Sequence, residues 1–135
     1  MSAEFGHTPP VAISDDQRDE YLQFACSAVR AAGRVILPHF RSGVQVTNKL
    51  DNGGFDPVTL ADQAGERAIR EAIELAYPEH GIFGEEYGFN AGNGLTWVID
   101  PIDGTRAFMT GMLHWGVLLA LFDGESPVVG AMYQP

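Results

Sequence analysis

One stretch constrains the fold of this chain more than any other: Trp97-Val98-Ile99-Asp100-Pro101-Ile102-Asp103-Gly104-Thr105-Arg106-Ala107-Phe108. Its first three residues are aromatic and β-branched and predict a buried strand. Asp100 is expected to end that strand, and Asp103 follows across a proline turn. Gly104 frees the backbone, and Thr105 places a hydroxyl where a helix can begin. Two carboxylates beside exposed amides suit a site that holds hard cations and an anion together. A turn in which both aspartates merely cap the backbone is the alternative, because Asp, Pro and Gly favour turns for local reasons.

The elements on either side follow from periodicity. Residues 1–13 carry Gly6, Pro9 and Pro10 without a period and read as a flexible arm. Ser14-Asp15-Asp16 offers capping chemistry. Beyond it Leu22, Ala25, Cys26, Val29, Ala32, Gly33, Ile36 and Phe40 recur at helical spacing, predicting a helix over 15–40 that Pro38 disturbs near its end. Val44 to Thr47 is a strand candidate, followed by a polar loop to Pro57. A second helix is expected over 61–76, with Ala68, Ile69, Ala72, Ile73 and Ala76 on its apolar face. Asp62 would lie in its first turn, as a dipole cap or as a functional carboxylate. Glu66 is either solvated or paired with Arg70.

Ile82-Phe83-Gly84 predicts a short strand ending in Glu85-Glu86, and tandem carboxylates on a glycine-relaxed backbone suit metal ligation better than capping. Residues 115–122 read as a strand buried on both faces. Asp123-Gly124 signals a hairpin, with 128–133 returning as its partner. Trp97, Trp115 and Cys26 are assigned to packing, His7, His39 and His80 to non-ligand positions, and His114 to the neighbourhood of the site.

Carboxylates thus gather at two strand ends and one helix start. If the strands are neighbours, their ends converge where layered α/β folds bind ligands. Oxygen donors without clustered His or Cys select Mg²⁺ or Mn²⁺ over Zn²⁺. A carboxylate shared by two metals matches the clamp used in phosphate hydrolysis. Eighteen acidic against eight basic residues give a net charge of −10, which argues against nucleic acid and anionic membranes as partners. No apolar run is long enough to span a bilayer, no secretory signal is evident, and a single cysteine excludes an intrachain disulfide. A cytoplasmic protein is expected.

Gly84-Glu85-Glu86, the stretch from Trp97 to Thr105, and Asp56-Pro57-Val58-Thr59-Leu60-Ala61-Asp62 together closely resemble the signatures of the inositol monophosphatase family of Mg²⁺-dependent, lithium-sensitive phosphatases. Arg106-Ala107-Phe108 and Gly111 to Ala120 look most like its histidinol-phosphate phosphatases. The resemblance implies a layered α/β sandwich of the inositol monophosphatase/fructose-1,6-bisphosphatase type. Residues 14–135 would form its N-terminal metal-binding half, two long helices packed on a mostly antiparallel sheet. It implies that Glu85, Asp100 and the carbonyl of Ile102 hold one Mg²⁺, and that Asp100 and Asp103 hold a second. Thr105 and Asp62 would orient the attacking water, with Glu86 near a third cation. Gly104 and Thr105 would meet the phosphate, with Arg106 beside them. Lys49 and Asp56 would belong to a loop that completes the site.

The expected substrate is a small phosphorylated alcohol, such as histidinol phosphate or inositol monophosphate. Bisphosphates of adenosine or fructose, taken by related scaffolds, remain open. The resemblance also implies a longer chain whose second half supplies another aspartate and most substrate contacts. This chain is therefore expected to self-associate through the faces that half would cover. A fragment that binds metal, or works only with a complementary chain, is the other reading.

Overall fold

The computed structural model describes residues 9–41 and 57–135 of the 135-residue chain. The expected strand at 44–47, and Lys49 and Asp56, lie outside the described residues. Helix α1 spans Asp15–Ile36 and continues into a 3₁₀ turn at Leu37–His39. Its start is a capping box: the Ser14 side chain accepts from the Gln17 amide, and Gln17 answers the Ser14 amide. Pro38 sits inside the 3₁₀ turn, so the helix ends before it instead of running to residue 40. The buried stripe is Tyr21, Ala25, Ala28, Val29, Ala32, Gly33 and Ile36. Leu22, expected on that stripe, is exposed. The bulky Tyr21 beside it takes the inward position.

Helix α2 spans Pro57–Ala76. It starts earlier than periodicity predicted, because a proline suits the first helical position. Its buried residues include Ala61, Gly65, Ile69 and Ile73, whereas Ala76 is exposed where the helix runs out. The strands are β1 Gly81–Gly84, β2 Gly88–Asn90, β3 Thr96–Asp103, β4 Gly116–Phe122 and β5 Pro127–Tyr133. Short helix α3, Thr105–Thr110, joins β3 to β4.

The sheet order is β2-β1-β3-β4-β5. The β1–β3 pair is parallel and the other three are antiparallel. Asp123 closes the last hairpin by accepting the amides of Glu125 and Ser126, both at 2.9 Å. Helix α1 packs on α2, β4 and β5, and α2 packs on β3, so the main core lies between the helices and one sheet face. Val117, Leu119 and Leu121 point into it, while Leu118, Ala120 and Phe122 are only half-buried. The expectation that β4 is buried on both faces is therefore corrected, since these helices cover one face alone. On the other face Val98, Leu118, Ala120, Gly130 and Met132 line an open groove of about 420 Å³. In the segment expected to be an arm, the Val11 amide bonds to the Asp123 carbonyl at 2.9 Å, and Val11 and Ile13 pack on the core.

Trp97 and Trp115 are core residues, as expected. Around Trp97 an aromatic cluster joins α1 to the end of α2, with the His80 ring stacked on Tyr77 at 4.7 Å. Trp97 Nε1 donates to His80 Nδ1 at 3.0 Å, which ties His80, in the turn after α2, into this packing. Burial lowers the His80 pKa, against the opposing pull of Glu79 and Glu20. The unfolded chain therefore binds the imidazole proton more readily. Stability from this group is complete above its unfolded pKa of about 6.5 and drains away as pH falls below it. His80→Phe is expected to cost about 1 kcal/mol at pH 8 through the lost hydrogen bond. Thermal melts between pH 5 and 8 should show a shallower acid-side decline for the variant. Parallel curves would refute the assignment.

Candidate metal centre

Parallel pairing of β1 with β3 sets Gly84 opposite Ile99, the last pair of that ladder. Glu85 follows Gly84 and Asp100 follows Ile99, each one residue beyond the pair. The convergence inferred from the sequence is therefore realised by the sheet. Strand β3 does not stop at Asp100, however; it runs on to Asp103. The continuation carries a bulge: Asp100 pairs with Leu118 and Asp103 with Gly116, leaving Pro101 and Ile102 opposite Val117 alone. Proline has no amide to give a ladder, and a bulge is where a strand accommodates it.

Asp62 is in the second turn of α2, not the first, because the helix begins at Pro57. Helix capping is thereby removed as its explanation. Gly65, one turn further, lets the helix press against the strand: a Cβ there would meet Pro101 Cβ at 2.9 Å. Asp62 consequently faces the carboxylates at the strand ends. Its pKa is pushed up to about 7, first by burial and then by Glu86, Asp100, Glu85 and Glu66. Asp100 is also raised, by burial and then by Asp103 and Glu85, against a bond from the Ile102 amide. Asp62, Glu85, Glu86, Asp100 and Asp103 thus share one electrostatic neighbourhood. Glu85 and Asp103 are exposed, and the other three are partly buried.

Gly104 caps α3 with φ at 93°, and a side chain there would strike the His114 carbonyl at 2.8 Å. Thr105 is the first helical residue, not a capping one, and its Oγ1 donates to the Ile102 carbonyl over a long 3.4 Å. Arg106 follows, exposed. His114 is exposed as well, four residues past the end of α3.

Among the described residues, no three His, Cys, Asp or Glu side chains converge closely enough to hold a metal ion as they stand. The donor chemistry nevertheless fits a hard divalent cation. The donors are carboxylate oxygens, they repel one another, and a cation is the partner that relieves such repulsion. The exposed Glu85 and Asp103 have room to close around one.

Two residues that sequence reasoning left peripheral belong to this site. Glu66 is fully buried and pairs with Arg70, Oε2 to Nε, at 2.9 Å. The pairing matches one of the two readings of Glu66, and its burial rules out the solvated one. Glu66 lies three positions before Ile69 and Arg70 three before Ile73, so a charged pair beside the apolar stripe was the available signal.

The fold is a layered α/β arrangement with carboxylates gathered where β1 meets β3, and comparison with known proteins makes the class specific. The profile of the inositol monophosphatase family matches residues 17–135, and the chain belongs to that family. It is 41% identical over 123 residues to a histidinol-phosphatase of Chlorobaculum parvum, covering 84% of this chain and 46% of that one. It is 36% identical over 129 residues to the bifunctional phosphatase IMPL2, chloroplastic, of Arabidopsis thaliana, covering 93% and 36%. A Nus factor SuhB of Haemophilus influenzae is 41% identical over 118 residues, covering 84% and 43%. Among solved structures, an inositol monophosphatase from Zymomonas mobilis superposes with a TM-score of 0.75 at 37% identity, covering 91% of this chain and 46% of that one. The layered α/β architecture with a mostly antiparallel sheet is thus shown. The chain spans less than half the length of these curated relatives.

Proposed function

We infer that this chain carries the cation-binding half of a phosphomonoesterase acting on a small phosphorylated alcohol. The observation that carries the reading is the electrostatic meeting of Asp62 with Glu85, Glu86 and Asp100 at adjoining strand ends. Glu85, Asp100, Asp103 and the Ile102 carbonyl would hold Mg²⁺, or Mn²⁺, with Asp100 shared. A bound cation would lower the pKa of a water and offset charge on the phosphate. Asp62 would take the proton, and the Thr105 hydroxyl would orient the water. Glu86 would support the cations from behind. Gly104, Thr105 and Arg106 would receive the phosphate at the head of α3.

The resemblance to a histidinol-phosphatase favours histidinol phosphate, with inositol monophosphate next. Phosphate release from both, with adenosine and fructose bisphosphates alongside, tests the reading in Mg²⁺ buffer. No release from any of them, by this chain alone or with a complementary C-terminal half, would overturn it. Release only with that half would favour the fragment reading. A single cysteine, which fits a reducing compartment, supports the cytoplasm as its place. Nucleic acid and membranes are not proposed as partners, given the charge of −10.

The open sheet face supports self-association. Met132 on it is 63% exposed, beside Leu118 and Ala120, and such apolar surface seeks cover. Light scattering is expected to show a dimer or larger species, and Met132→Glu to shift it toward monomer. A monomer for the parent chain refutes this.

A further inference from the structure

Glu66 is fully buried, yet an ion pair with Arg70 does not by itself require that, since such pairs form readily on helix surfaces. Its other bonds show what the burial achieves. Oε1 accepts the Glu86 amide at 2.9 Å, and Oε2 accepts the Tyr87 amide at 3.0 Å. Arg70 reaches the strand that follows, donating Nη1 to Asn90 Oδ1 at 2.7 Å and Nη2 to the Gly88 carbonyl, both in β2. The turn between β1 and β2 is therefore held at two amides by Glu66, and β2 beyond it at a carbonyl and a side chain by Arg70. Gly84 makes room for the grip, because a Cβ there would lie 2.4 Å from the Glu66 carboxyl carbon.

We propose that Glu66 is a positioning residue for Glu85, fixing the turn from which that side chain reaches the cation. The inference rests on the reading of Glu85 as a ligand. Glu66 lies one helical turn beyond Asp62, on the same side of α2. A single rigid helix thereby sets Asp62 and, through two amide bonds, the placement of Glu85. Changing a group that holds a metal ligand in place typically costs about 10- to 100-fold in metal affinity.

Glu66→Asp keeps a carboxylate beside Arg70 but draws it back by about 1.5 Å, one carbon–carbon bond. Two readouts on the full chain separate the possibilities: Mn²⁺ affinity by electron paramagnetic resonance, and amide hydrogen exchange at Glu86 and Tyr87 without metal. The variant is expected to bind Mn²⁺ about 10- to 100-fold more weakly and to lose protection at those two amides, while Ile69 stays protected. Gly84→Ala, which crowds the same carboxyl from the strand side, should reproduce both effects if Glu66→Asp does not fold. Retained protection, or lost protection with unchanged Mn²⁺ affinity, overturns the proposal. A parent chain that binds no Mn²⁺ instead overturns the ligand reading of Glu85, and the exchange data still decide whether Glu66 holds the turn.

Discussion

Asp100→Asn is expected to abolish divalent-cation binding and any phosphatase activity, while making the metal-free chain more stable. Asp100 stands at the meeting of β1 and β3, and both proposed cation positions draw on it. Changes that merely loosen a ligand cost 10- to 100-fold in affinity, so removing the shared carboxylate should cost at least about 100-fold. Without metal the same charge is a liability, disfavoured by burial and then by Asp103 and Glu85. Asparagine keeps the shape and removes the repulsion. Calorimetric titration with Mn²⁺ and melts in chelator measure the two halves. Unchanged Mn²⁺ affinity, or full activity, would falsify the role assigned to Asp100.

The second large effect concerns Asp62 and pH. Its folded pKa, about 7, stands above that of the unfolded chain, so the native state holds the proton longer. Stability from this group is whole below the unfolded value of about 4 and is lost as pH rises through 7. In chelator the melting midpoint should therefore decline from pH 4 to pH 8 through this carboxyl. Asp62→Asn should flatten that part of the decline. Because Asp62 remains partly open to water, screening limits the gain at pH 8 to about 1 kcal/mol, or roughly 3 °C in a chain this size. The variant should also lose activity wherever the parent has it. Identical pH profiles for parent and variant would remove Asp62 from the carboxylate cluster.

Much of the architecture was legible because long periodic segments and apolar strands carry strong signals. Helices α1 and α2, strands β1, β3 and β4, and the Asp123-Gly124 hairpin all follow from spacing. Strand β2 did not, since Gly88-Phe89-Asn90 is too short to show alternation, and its pairing with β1 defines it. The start of α2 was missed because Pro57 was read as loop punctuation. The candidate site was legible as a set of carboxylates. Their meeting needed the parallel β1–β3 register, which no local pattern encodes. Glu66 escaped for the converse reason: its position on the helix suggested water or a surface pair, and only the neighbouring turn explains its burial.

The bulge at Pro101 has a consequence for how the chain tolerates change. Side chains of a regular strand alternate between faces, so residues an odd number apart diverge. Asp100 and Asp103 would part in this way were the ladder unbroken. The extra residue restores their parity, and the two aspartates are close enough to raise the pKa of Asp100. The pairing of these acids is therefore written in the counting of the backbone as much as in the acids themselves. Straightening the ladder without removing a residue would leave both side chains present and the partnership gone.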